Sequence, residues 1–326
     1  MRKIVLFFHF FFVIQISLSC TKDDDDVRMD TSFIIEAGDT LDLSDECAYL
    51  GPIKVSLFSD SCHSHQSAAS YGDYAVFVTD RRSTLYLYNL RKKRIVCKKY
   101  MGAIEEKIGK YILYHSNQMT FGRDFYDSSD PFPLLYISQR AREDNRCIME
   151  VYRLTPKWSE KENEYIQLEA ELIQMIYFPV MTQDNSLGRI NCAIDASNNI
   201  MYAYSYSTIE SDPNRGKCRI SLFNIPDIHE KEVYLNDEDI IDSYPLNYNG
   251  INSQGGCIKD DRLFIAQGYQ SAGYIYLNVI DLKKKKLLKR IDLLHNGFSW
   301  EPEGCFIYNN NIMISTGTWI WEFIFI

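Results

Sequence analysis

The chain has 326 residues, of which 46% are apolar and 24% charged, and its 18 Phe and 23 Tyr allow a large core. This composition excludes an intrinsically disordered chain. The 35 Lys and Arg against 44 Asp and Glu give a net charge of −9, which argues against a basic nucleic-acid-binding surface. The sequence therefore predicts a globular protein without a nucleic-acid partner.

The first nineteen residues have the layout of a secretory signal. Arg2 and Lys3 precede an apolar run from Ile4 to Ile16, which is interrupted only by His9 and Gln15. Such a run is too short to cross a bilayer, which takes about 20 apolar residues. We expect residues 1–19 to be removed as a signal peptide.

The segment that follows resembles the lipobox of bacterial lipoproteins. Ser17-Leu18-Ser19-Cys20 places small residues before a cysteine, although most lipoboxes have Leu where Ser17 stands. The resemblance implies lipidation of Cys20, and acyl chains there would hold the protein on a membrane without a spanning helix. An ordinary secretory signal with an incidental cysteine is the alternative.

An acidic run follows Cys20 directly. It contains Asp23, Asp24, Asp25 and Asp26 and resembles the export signal of surface-exposed lipoproteins in Bacteroidetes. The resemblance implies an outer-membrane lipoprotein that faces outward, with residues 20–29 as a linker. A solvated acidic linker without export function is the alternative.

Residues 30–326 form the predicted domain, in which short β-runs alternate with Asn, Asp, Gly and Lys turns. Repeats support this interpretation: residues 87–96 match residues 279–288 as a hairpin with a basic tip, and residues 222–225 leading to 232–233 form a looser copy. A second element places Cys192, Cys257 and Cys305 at one repeat position. Residues 66–70 and 117–122 fit the same frame.

Units of this size with four antiparallel strands are typical of a β-propeller, because one blade cannot bury both of its faces alone. We therefore predict an all-β fold with a single propeller of five blades, or six if residues 45–64 hold a degenerate blade. The last unit offers only three strands. Its outer strand is expected from Ser32–Ile35 or Thr40–Leu43, which would close the ring and cover an edge. A two-sheet sandwich is the alternative.

The nine cysteines lack the short paired spacings of a disulfide framework. Cys192, Cys257 and Cys305 are expected to pack as small apolar side chains on inner strands. A soft metal site made of the three thiols is the alternative. Cys47 and Cys62 are the predicted disulfide pair.

Polar residues just before the inner strands should line the mouth of the central channel, where a pocket would need a few placed polar groups. Alternatively, they only satisfy backbone groups. The candidate binding residues are His65, Gln118, Asn191, Gln254, Trp300, Glu301 and Glu303, with His63, Gln66, Asn117 and Arg189 beside them.

The motif Trp300-Glu301-Pro302-Glu303-Gly304 resembles the Glu-bearing strand starts of gluconolactonase-like and other lactonase propellers. That resemblance implies a divalent cation held by the acid. Alternatively, the carboxylates of Glu301 and Glu303 could act as general acid and base on a glycoside, with partners from other blades. No Ser-His-Asp elbow, phosphate loop or HExxH motif occurs in the sequence.

These observations favour a surface-anchored, non-catalytic propeller that binds a glycan, a peptide or a partner protein, with no assigned metal and no required cofactor. An exported metal-dependent hydrolase or lactonase using Glu303, with a divalent cation in the channel, is the first alternative. A structural subunit of a larger outer-membrane assembly is the second.

Overall fold

The computed structural model describes residues 47–53, 65–79, 84–101, 116–143, 146–179, 190–206, 212–295, 298, 300–317 and 320–325. All of them belong to one compact unit, residues 35–326. The predictions for the signal peptide, Cys20, Asp23 to Asp26 and Cys62 lie outside the described residues, as does the side chain of Cys47. No helix among the described residues is long and apolar enough to cross a membrane.

The described strands form five sheets. The first strand in the chain, β1 (Cys47–Ile53), belongs to sheet 5, and sheet 1 begins with the next strand, β2. Sheet 1 contains β2 (His65–Tyr71), β3 (Tyr74–Thr79), β4 (Thr84–Asn89) and β5 (Arg94–Tyr100). Sheet 2 contains β6 (Gln118–Phe121), β7 (Leu135–Glu143), β8 (Arg146–Ser159) and β9 (Glu164–Tyr177), with β13 (Glu232–Tyr234) parallel to β9.

The three remaining sheets have four strands each. Sheet 3 contains β10 (Asn191–Asp195), β11 (Ile200–Tyr206), β12 (Lys217–Asn224) and β14 (Asp242–Asn249). Sheet 4 contains β15 (Ser253–Lys259), β16 (Arg262–Tyr269), β17 (Tyr274–Asp281) and β18 (Lys286–Asp292). Sheet 5 contains β19 (Pro302–Tyr308), β20 (Asn311–Thr316), β21 (Ile320–Phe325) and β1. Two 3-10 helices cover Asp237–Asp239 and Gln270–Ala272.

The first strands of the five sheets are the inner strands, and they pack side by side. β2 contacts β6, β6 contacts β10, β10 contacts β15, β15 contacts β19, and β19 returns to β2. Buried apolar clusters fill the space between successive sheets, as between sheets 1 and 2, where Leu85, Leu135 and Tyr152 pack together. The prediction of an all-β propeller is confirmed.

The repeated hairpin has the same turn in sheets 1 and 4. Asn89 Oδ1 accepts a hydrogen bond of 2.8 Å from the Lys92 amide, and Asp281 Oδ1 accepts one of 2.8 Å from the Lys284 amide. The next residue of each turn has a left-handed backbone, with φ of 54° at Lys93 and 53° at Lys285. The predicted use of Asn or Asp to begin this turn is confirmed.

Two strand assignments differ from the prediction. An N-terminal strand completes sheet 5, but it is Cys47–Ile53, which pairs antiparallel with β21, and not Ser32–Ile35 or Thr40–Leu43. Residues 47–53 therefore do not begin a sixth blade. The looser hairpin copy is also wrong at its second half, because β13 joins β9 of sheet 2 while β14 pairs with β12. Each choice gives an otherwise open sheet edge a partner.

Candidate functional site

The predicted channel-mouth residues lie together where the inner strands begin. His65, Gln66, Gln118, Asn191, Gln254 and Glu303 are all buried. We call this group the closed end. Trp300 and Glu301 lie beside it and are exposed, while His63 and Arg189 fall outside the described residues. Burial alone separates these residues into a sealed set and an outer pair.

Gln118 bridges the channel at the closed end. Its Nε2 donates to the Gly256 carbonyl at 2.6 Å, and its Oε1 accepts from the Gly256 amide at 2.7 Å. β6 and β15 are separated in the ring by β10, so this pair of hydrogen bonds crosses between strands that are not neighbours. Both polar atoms of this fully buried amide therefore have a backbone partner across the channel.

Neighbouring inner strands are joined by further amides. Asn191 Nδ2 donates to the Ser253 carbonyl at 3.0 Å, and Gln254 Nε2 donates to Glu301 Oε1 at 2.9 Å. Gln66 Nε2 lies 3.5 Å from Glu303 Oε1. These contacts correspond to the alternative in which the polar residues satisfy one another and the backbone.

Burial also sets the protonation state of His65 at the closed end. It lowers the pKa of His65 to about 3, because the imidazolium would lose its hydration. His65 is therefore neutral at neutral pH, and its ring packs edge-on against Phe77 at a centroid distance of 4.9 Å. It acts as a core side chain.

Sequence reasoning missed a polar network that extends the closed end into sheets 2 and 3. Tyr152 donates to Glu150 at 2.8 Å and Gln139 donates to the same carboxylate oxygen at 3.2 Å, with Glu150 fully buried. Ser138 accepts a 3.1 Å hydrogen bond from the Cys192 amide. The alternation of polar residues in β7 and β8 was the available signal.

The opposite end of the inner strands is open. A cavity of about 470 Å³ lies there, and we call it the end cavity. Its wall includes residues from the second half of β2, β6, β10, β15 and β19 and the residues that directly follow β6, β10 and β15: 69–71, 119–122, 194–197, 256–261 and 305–307. None of the predicted candidate residues that the structure describes lines it.

The end cavity combines an aromatic surface with charged groups. Tyr71 is 42% exposed, and its ring is braced by Phe121 and Phe125, both at centroid distances of 6.0 Å. Asp195 lies in the wall with Lys259, which forms an ion pair with Asp260. Such a mixture of apolar surface and a few polar groups is typical of small-molecule sites.

Asp195 keeps its charge in this setting. Burial disfavours its carboxylate, but hydrogen bonds from Ser197 and Asn198 outweigh that cost and hold its pKa below the usual value. The Asn198 side chain donates to Oδ2 at 2.7 Å, whereas the backbone amides of Ser197 and Asn198 donate to Oδ1 at 3.0 and 3.2 Å. The turn therefore fixes an ionised acceptor at the cavity wall.

Metal binding was one alternative for the acids and thiols. Within the described part of the chain, no group of three or more His, Cys, Asp or Glu side chains is placed to hold a metal ion. Of the three cysteines at one repeat position, Cys257 and Cys305 meet with their sulfurs 3.2 Å apart, while Cys192 packs in another cluster. All three are buried, as predicted.

No protein-family model matches the chain, and no curated protein sequence matches it. Among solved structures, a glutaminyl cyclase from Myxococcus xanthus is 9% identical over 86% of this chain and 96% of its own, with a TM-score of 0.45. A luciferin-regenerating enzyme is 10% identical over 83% of this chain and 75% of its own, with a TM-score of 0.38. A chain in a nidogen/laminin complex is 9% identical over 72% of this chain and 66% of its own, with a TM-score of 0.37. These similarities carry no argument about activity.

Proposed function

We propose that the chain is a lipid-anchored cell-surface protein, that its five sheets are the blades of one propeller, and that it binds a small carbohydrate in the end cavity. The observation that carries the binding proposal is the contrast between the two ends of the inner strands. One end is filled by hydrogen-bonded amides, whereas the other holds a cavity of about 470 Å³. This volume lies within the range of about 300 to 1,000 Å³ that is typical of ligand pockets.

The chemistry of the end cavity supports a carbohydrate. The exposed ring of Tyr71 offers a rigid apolar face against which the C–H side of a sugar ring can pack. Asp195 Oδ2 can accept a hydrogen bond from a sugar hydroxyl in addition to the one from Asn198, because a carboxylate oxygen has two lone pairs. Lys259 adds a donor in the same wall, and the hydroxyl oxygen of Thr120, which donates to the Phe121 carbonyl at 3.3 Å, adds an acceptor.

The hydrolase alternative depends on Glu303, which receives no comparable support. Glu303 is buried at the closed end beside the Gln66 amide, and it does not line the end cavity. A substrate would have to displace the amides around it before reaching its carboxylate. A binding role at the end cavity needs no such rearrangement.

The anchoring part of the proposal rests on the sequence of residues 1–26. We expect Cys20→Ala to release the protein from membranes, and replacement of Asp23, Asp24, Asp25 and Asp26 by Ala to move it to the periplasmic face. Protease treatment of whole cells followed by membrane fractionation measures both effects. A Cys20→Ala protein that stays in the membrane fraction would contradict lipid anchoring.

The binding proposal is tested with a glycan array followed by calorimetric titration of the sugars that bind. Tyr71→Ala should weaken binding at least tenfold, because the stacking surface is lost. Trp300→Ala is the matched control, since Trp300 is a similarly exposed aromatic residue, at 46% against 42%, beside the closed end. Loss of binding in Trp300→Ala with none in Tyr71→Ala would contradict the proposal, and so would an array without any bound sugar.

A further inference from the structure

Two cysteines face each other in the wall of the end cavity. Cys257 on β15 and Cys305 on β19 have their Sγ atoms 3.2 Å apart, and both residues line the cavity. They belong to sheets 4 and 5, which follow one another in the ring. Cys192 has the same repeat position but lies elsewhere, beside Ile190 and Met201. The pairing of the two thiols is therefore not a general consequence of the repeat.

Glycines bring the two strands together. A Cβ atom at Gly255 would lie 2.7 Å from the Gly304 Cα and 2.8 Å from the Cys305 amide nitrogen. Only glycine allows the backbones of β15 and β19 to approach so closely. The close backbones therefore hold the two Cys residues on adjacent strands, so that side-chain rotation alone decides the distance between their sulfurs.

We propose that Cys257 and Cys305 form a redox-active dithiol that closes into a disulfide, covalently linking sheets 4 and 5 at the wall of the end cavity. Closure needs the sulfurs to move from 3.2 Å to about 2.05 Å, which small side-chain rotations supply. Exported proteins meet oxidising conditions in which such bonds persist. In this respect alone the inference rests on the proposed export.

The reaction is thiol–disulfide exchange with a small disulfide oxidant. Cys257 loses its proton to water, and its thiolate attacks one sulfur of the oxidant. This forms a mixed disulfide on Cys257 and releases one half of the oxidant as a thiolate. Cys305 then loses its proton, and its thiolate attacks the Cys257 sulfur and displaces the other half of the oxidant. The two cysteines are oxidised by two electrons, and the oxidant is reduced to two thiols that take up the two protons.

The end cavity should speed oxidation of Cys257 and Cys305, whereas the burial of the two thiols should slow it. The cavity gives a small reagent a route to the pair, although Cys257 is only 8% exposed and Cys305 1%. Burial, and then the adjacent Cys305, raises the pKa of the Cys257 thiol, so little thiolate exists at neutral pH. We expect oxidation to be slow at neutral pH and to accelerate as the pH rises.

A disulfide here would enclose the segment between residues 257 and 305 and restrict the unfolded chain. The enclosed loop spans 48 residues in sequence separation. We expect the melting temperature of the oxidised protein to be higher by about 5 to 10 °C, and the gain to disappear with reductant.

The test uses the purified chain and three variants, Cys257→Ala, Cys305→Ala and the matched control Cys192→Ala, which changes a buried cysteine of the same repeat position. Each is treated with bis(2-hydroxyethyl) disulfide, a small neutral oxidant, at about pH 8.5. Intact mass, peptide mapping and melting temperature are measured before and after reduction. The parent and Cys192→Ala should yield a peptide pair joined through Cys257 and Cys305, two hydrogen masses lighter than the two reduced peptides together.

Cys305→Ala should stop at a mixed disulfide on Cys257, which would show that the reagent enters the cavity. The inference is overturned if the parent keeps both thiols free, or if its Cys257 carries a lasting mixed disulfide although Cys305 is present. Sugar binding is measured separately on the reduced parent. Failure of the disulfide therefore leaves the proposed binding function untouched, and the reverse also holds.

Discussion

The two ends of the inner strands differ in what their polar groups do. At the closed end, Gln118 and Asn191 give their hydrogen bonds to backbone groups of β15. At the end cavity, Phe121 braces the ring of Tyr71 and the Asn198 side chain donates to Asp195, and both Tyr71 and Asp195 line the cavity. A polar residue at a strand start is thus weak evidence for a ligand, whereas a polar residue beside unfilled volume is stronger evidence.

Removal of the closing strand should have the largest effect on this architecture. Deletion of residues 47–53 leaves β21 without its partner, so its backbone groups become an exposed sheet edge, and we expect aggregation or loss of cooperative melting. Deletion of residues 27–44 is the matched control, because it retains β1. A chain without residues 47–53 that melts like the parent would contradict closure by this strand.

Substitution of Gln118 should have the next largest effect. Gln118→Ala removes both hydrogen bonds to Gly256 and leaves a buried amide and carbonyl without them, at a cost of about 3 kcal/mol in the free energy of unfolding. Thr120→Ala, on the same strand but in the cavity wall, should cost less than about 1 kcal/mol. Urea unfolding measures both values. Equal losses would show that the two ends do not differ in packing.

The pH dependence of stability should report the burial of His65. An unfolded histidine binds its proton near pH 6.5, whereas folded His65 does so near pH 3, because burial disfavours the cation. Between these values the unfolded state holds more protons, so stability falls as the pH drops, by at most about 1.4 kcal/mol per pH unit. His65→Gln should have a shallower slope between pH 6 and 4, and an unchanged slope would contradict a sealed histidine.

The sequence was sufficient to predict the repeated parts of the fold. The hairpins around Asn89 and Asp281 and the inner strands with Cys257 and Cys305 share a local pattern, and local patterns determine turns and strand faces. The closing strand was predicted at residues 32–35 or 40–43 instead, and Gly51-Pro52 is a dipeptide more typical of a turn than of a strand. In the structure the pairing register of β1 shifts between Leu50 and Ile53, and such an irregularity accommodates a proline that has no amide hydrogen.

The site was less predictable than the fold. The predicted residues do converge, but whether they enclose space depends on contacts such as the one between Gln118 and Gly256, which are 138 residues apart. The end cavity is lined partly by turn residues such as Ser197 and Asp260, which are residue types common in turns between strands. Sequence periodicity contains no information on which end of a channel is filled.

Two serines on β2 lie at different ends of the channel. Ser67 is fully buried in the half of β2 at the closed end, and Ser70 lines the end cavity. In a chain that also carries Cys257→Ala and Cys305→Ala, we would measure the reaction of Ser67→Cys and Ser70→Cys with a small neutral thiol reagent under native conditions. We expect Ser70→Cys to react at least about a hundredfold faster, because only its end of the channel admits the reagent without local unfolding. Equal rates, or faster reaction at Ser67→Cys, would contradict a channel that is closed where the inner strands begin and open where they end.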